Sequence, residues 1–150
     1  MYELLLYLHI VGATIWVGGA VYVQLLGMRV SRSEDPAELP RFARNIEAIG
    51  RVVFAPAAFV ILGTGAVMTV QAWDFGQAWI AVAIGLWVLS AVAGAAYLAP
   101  TSKRVVTLFE AEGPASIVGR RLIERMFLVS RLELVSFAVI IALMVFKPGA

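Results

Sequence analysis

Few side chains in this 150-residue chain are equipped for chemistry, and the single histidine comes first among them. His9 stands in "LHIVGATIWVGG", inside a run from Leu4 to Met28 that holds no Asp, Glu, Lys or Arg. An imidazole placed there can ligate a metal or haem iron, or hydrogen-bond a neighbouring helix. On a helix, Ala13 and Ala20 share its face and leave space, while Trp16 adds a flat aromatic wall further along. Met68 and Met144 fall near the ends of later apolar segments, at a depth similar to His9. One imidazole with one or two thioethers is a candidate haem axial set, and equally a soft site for Cu(I). Trp16, Met68 and Met144 are therefore carried with His9 as candidate cofactor residues, although methionine more commonly fills gaps in apolar packing.

Glu133 is the other oddity. It shares a helical face with Ser136, Phe137, Ile140 and Met144, whereas Arg131, two positions earlier, points about 200° away and can snorkel to headgroups. The simpler reading of Glu133 is a structural ion pair with Arg51; the sharper one is a proton-handling carboxylate. Nothing else carries chemistry. One histidine leaves no credible Ser–His–Asp set, and the absence of cysteine removes disulfides, thiolate metal sites and iron–sulfur clusters. The glycines of "WVGGAVY" read as helix packing, no phosphate-binding loop or zinc spacing occurs, and nothing points to nucleic acid.

The elements that must position these residues follow from composition. Hydrophobic residues make up 61% of the chain and charged ones only 15%, against about 25% in soluble domains, which is too little to cover a water-facing surface. Leu4–Met28, Val52–Trp73 and Phe75–Ser102 are free of charge, and each exceeds the roughly 18 to 20 residues that cross a bilayer core as a helix. Phe127–Phe146 is a fourth segment, with Arg131 and Glu133 near its start. The chain reads as one transmembrane domain over 1–150, all-α, a four-helix bundle with helices near 3–28, 52–72, 78–100 and 127–146. The first segment lacks a basic n-region and is too long for a signal peptide, so it is expected to remain as helix one.

Orientation comes from the basic residues. Of the 12 Lys and Arg, only Lys147 lies outside the first and third connections and the start of helix four. Both termini are thus expected outside (N-out/C-out), with two cytoplasmic connections. These read as helical extensions. "EDPAELPRFARNIEAIGRVVF" puts Phe42, Ile46, Ile49 and Val53 on one face, with Glu47 and Arg51 at i,i+4 spacing. Helix three continues past Lys103 towards Glu110, breaks at "EGPAS", and restarts with Pro114 in the first turn. "WDFGQAW" is a tight outer hairpin flanked by Trp73 and Trp79, and no internal repeat stands out. Bundle contact is expected from small residues: Gly12 and Gly19, Gly63 to Gly65, Ser90 and Gly94, Ser136 and Ala142.

"YLHIVGATIWVGGAVY", "GRVVFAPAA", "WDFGQAWI", "SRLELV" and "MVFKPGA" together resemble a widespread family of small bacterial predicted integral membrane proteins, a domain of unknown function. The resemblance spans essentially the whole chain and implies a multi-pass protein of the bacterial cytoplasmic (inner) membrane. The helix-one pattern of His, six residues, Trp and a small pair is also distantly similar to HemJ-type protoporphyrinogen oxidase, a four-helix haem protein. By that resemblance His9 would be a haem ligand; the lysine and further histidines those proteins use have no counterpart in helices two and three. The CopD membrane domain shares the "His…WVGG" opening, which implies copper. Three readings stand open: a redox or cofactor-handling protein with haem b on His9, a copper-handling protein, or a non-catalytic accessory or assembly subunit of a membrane complex. Whether the chain is an enzyme is not decided by its residues. The lipid bilayer is its expected surround, and a bis-imidazole haem would require a homodimer.

Overall fold

A backbone in lipid must satisfy its own hydrogen bonds, and the charge-free runs do so as helices. The computed structural model describes residues 1–149 and contains no strand among them. Six α-helices follow in order: α1 Tyr2–Val30, α2 Glu38–Ile49, α3 Ala55–Ala72, α4 Ala78–Val92, α5 Ala99–Glu112 and α6 Ile117–Phe146. α2 and α3 form one rod, Glu38–Ala72, and α4 and α5 another, Ala78–Glu112. With α1 and α6 these make four helices long and apolar enough to cross a membrane. The expected extensions are thus continuous with the spans.

Each two-part rod is joined by a π-helical stretch, Gly50–Phe54 in the first and Ala93–Leu98 in the second. The cause is legible in the residues that follow. Pro56 has no N–H to give the carbonyl of Val52, and Pro100 none to give that of Ala96. In a regular helix each ring would also press on that carbonyl. One surplus residue per turn opens the helix there and relieves the clash. The two joins share a pattern that periodicity does not reveal: Gly50-Arg-Val-Val-Phe-Ala-Pro56 and Gly94-Ala-Ala-Tyr-Leu-Ala-Pro100.

α1 packs along α3, and α6 against both α1 and α4. α3 and α4, though joined by the 73–77 hairpin, hardly approach one another. At the basic end α2 packs on α5 and α5 on α6. The tightest apolar core lies there: Leu39, Ala43, Val105, Phe109, Ile123 and Met126. Gly27 brings α1 onto this layer, since a side chain at that position would collide with the Phe127 ring, which Phe42 backs at 5.7 Å. Gln24 secures the same crossing by donating from its amide to the Phe127 carbonyl at 2.9 Å. Gly113, with φ 77°, ends α5, and the Ser116 hydroxyl caps α6 by accepting from the Gly119 N–H at 3.1 Å. Pro114 therefore sits in the turn and not in the first turn of the last helix, where it was expected. At the hairpin end Trp73 and Trp79 meet edge-on at 5.3 Å, and the Lys147 ammonium lies 4.6 Å over the Trp73 ring.

Bonds in a π turn are poorer than those flanking it. Amides of 50–54 and 93–98 should exchange about ten-fold faster than those of α3 and α4 in detergent-solubilised protein, and Pro56→Ala and Pro100→Ala should each slow exchange in their own rod. Uniform exchange along both rods, unchanged by the substitutions, would contradict this account of the joins.

Candidate functional site

His9 is half-buried where α1 crosses α3. Its Nδ1 lies 3.0 Å from the Ile61 carbonyl oxygen and 3.0 Å from Thr64 Oγ1. The Thr64 hydroxyl already donates to the Val60 carbonyl at 2.6 Å, so both neighbours of Nδ1 can only accept. The imidazole therefore carries its proton on Nδ1 and donates it to α3. Gly65 makes room for the ring, since a Cβ there would stand 3.1 Å from His9 Cε1. Met68 is buried on the same face of α3 as Ile61, Thr64 and Gly65, one turn nearer the hairpin. Met144 is exposed on α6, which packs chiefly on α4, α5 and α1. The expected pair of thioethers near His9 thus reduces to Met68, because α6 turns Met144 outward.

The large cavity is elsewhere. About 680 Å³ of space lies between α3, α4 and α6 on the basic-end side of Trp16. Trp16, Trp87 and Phe137 form its roof, with ring centroids 4.8 Å apart for Trp16–Phe137 and 6.2 Å for Trp16–Trp87. Its floor is the α2–α5 layer, including Ala43, Ile46 and Ser102. Its walls are small residues: Ala55 and Ala58 on α3, and Ser90, Ala91, Gly94 and Ala95 on α4 and the following π turn. The expectation that Gly94 gives close helix contact is not met, because a Cβ at that position would touch nothing within 4 Å. Phe59 both lines the cavity and is 76% exposed, which marks a lateral mouth towards lipid between α3 and α4. Both π turns contribute to the wall through Gly50, Phe54, Gly94 and Leu98.

Glu133 opens onto this cavity, half-buried, one turn from Phe137. The ion pair expected with Arg51 does not form. Arg51 lies 3.8 Å from Glu47, its i,i+4 neighbour on the same rod, and its side chain is 72% exposed. The local partner wins because it needs no transfer of the guanidinium from water into the cavity. Glu133 has no ion-pair partner within 4.0 Å among the described residues. Lys103, at the cavity's rim, is exposed. The cavity escaped the sequence reading, yet a signal was present: small residues at 91, 94 and 95 facing a lone intramembrane carboxylate.

A haem or metal can be tested against these residues. Neither the large cavity nor a smaller apolar one on the outer side of the α1–α3 contact includes His9 in its lining. Trp16 roofs the large cavity about two helical turns from His9, so that cavity and His9 do not fit one haem within a single copy of the chain. Among the described residues no three of His, Cys, Asp and Glu converge on a metal position.

The chain belongs to the DUF2269 family of predicted integral membrane proteins, whose sequence profile matches residues 3–148. No curated protein and no solved structure matches it. The comparisons do not show the similarity to HemJ-type and CopD-type proteins that the helix-one pattern suggested.

If His9 ties α1 to α3 as described, His9→Ala and Thr64→Val should each lower thermal stability in detergent. Their double-mutant cycle should show a coupling of about 0.6–1.7 kcal/mol. Additive effects would mean that the Ile61 carbonyl alone carries the bond.

Proposed function

We propose that this protein binds an amphipathic, lipophilic small molecule in its central cavity, admitting it from the bilayer through the gap between α3 and α4. The observation that carries the reading is the cavity itself, about 680 Å³ and bearing Glu133, which has no ion-pair partner among the described residues. That volume falls within the roughly 300–1,000 Å³ of small-molecule sites. Small residues keep the space open where bulkier ones would close it. A lipid acyl chain straying into the gap has no use for a carboxylate, which is costly at that depth unless something polar meets it. The reading places the protein in the bacterial cytoplasmic membrane with its basic end towards the cytoplasm.

One observation keeps a second reading. A histidine that donates from Nδ1 to a backbone carbonyl leaves its Nε2 lone pair available, the arrangement of many metal-ligating histidines. Haem b, or less readily copper, would then sit against His9 on the outside of the bundle, and a bis-imidazole haem would be shared by a homodimer.

In non-ionic detergent the protein should bind the neutral dye Nile red to saturation, and Ala95→Trp, which fills the cavity wall, should weaken binding about ten-fold. Non-saturable uptake that is the same in both proteins would end the cavity reading. Oxidised and dithionite-reduced visible spectra of protein from haem-supplied membranes test the second reading. It requires a Soret band that His9→Ala removes, and a colourless preparation free of copper would discard it.

A further inference from the structure

We infer that the molecule held in the cavity is a lipophilic organic cation whose charge is spread over an apolar body; the inference rests on the cavity reading above. Two neighbouring features of the cavity lining point to it. Glu133 supplies a carboxylate without an ion-pair partner within 4.0 Å among the described residues. One turn along α6, the Phe137 ring packs tilted at 40° to Trp16 with centroids 4.8 Å apart, and Trp16 lies 6.2 Å from Trp87. A carboxylate beside clustered aromatic faces is a setting that favours a bulky, weakly hydrated cation, through direct charge attraction and the negative faces of the rings. A small hard cation would need several oxygen ligands in place of its water, and no acidic cluster among the described residues provides them. An anionic amphiphile would face Glu133 across a low-dielectric space.

The basic residues near the cavity do not reverse this preference. Arg51 is exposed and engaged by Glu47 at 3.8 Å, and Lys103 is exposed at the rim, so both act through water and salt. Glu133 is half-buried on the cavity lining, so its charge is screened by water and salt less than theirs. The aromatic roof and apolar walls provide for the rest of the ligand.

Tetraphenylphosphonium and tetraphenylborate, nearly identical in shape and opposite in charge, separate charge from greasiness. Each would be titrated against Nile red bound to the whole protein in non-ionic detergent. The phosphonium should displace the dye at about ten-fold lower concentration than the borate. Glu133→Gln should abolish that preference while still binding dye, which shows that the variant is folded. Glu133→Asp, which keeps the charge, should largely retain it. A borate as effective as the phosphonium, or a preference that survives Glu133→Gln, would overturn the inference while leaving the cavity reading intact. Failure of Nile red to bind the unaltered protein would instead bring down the cavity reading itself.

Discussion

Lipid offers apolar side chains the same welcome that another helix does, so the hydrophobic effect cannot hold together the membrane-spanning part of this protein. It can act at the basic end, where water is present. There α2, α5 and α6 bury Leu39, Ala43, Val105, Phe109, Ile123 and Met126 against one another. The rods are clamped at this end and continue into lipid as extensions of the clamp. Within the spans, cohesion falls to a few close approaches and polar ties, with His9 to the Ile61 carbonyl and Gln24 to the Phe127 carbonyl chief among them. A bundle held so unevenly can leave α3 and α4 apart, and the space between them is where the cavity lies.

The two polar residues that stand out in the apolar sequence consequently have different surroundings. His9 is spent, at least at Nδ1, on joining α1 to α3. Glu133 is not spent on any ion pair among the described residues and faces open space. Residue type alone would rank the imidazole as the more promising of the two. What separates them is the neighbour each one meets.

Much of the fold could be read from residues alone, because hydropathy and charge are strong and additive along a chain. The four spans, the hairpin with its two tryptophans, and the helical character of the basic connections all come from runs or periodic faces. So does the shared face of Glu133 and Phe137. Other features depended on choices that spacing leaves open. Arg51 had two acidic candidates, Glu47 on its own rod and Glu133 across the bundle, and the cost of burying its charge settles the matter. Met144 lies at the right depth but on the wrong side of α6. The π turns were hidden because a face that repeats every 3.6 residues cannot register a single surplus one. Past each join, every face shifts by about 100°.

That surplus residue is held in place. A π turn is a dislocation in the hydrogen-bond ladder, and such a defect can slide along a helix as each amide changes its acceptor by one residue. Pro56 and Pro100 have no amide to pass the exchange on. Each dislocation therefore cannot slide through its own proline. One is stopped on the side of α3, the other on the side of α5. Because the rods run in opposite directions, the barriers face opposite ends of the molecule. Neither slip can leave through the end its proline guards.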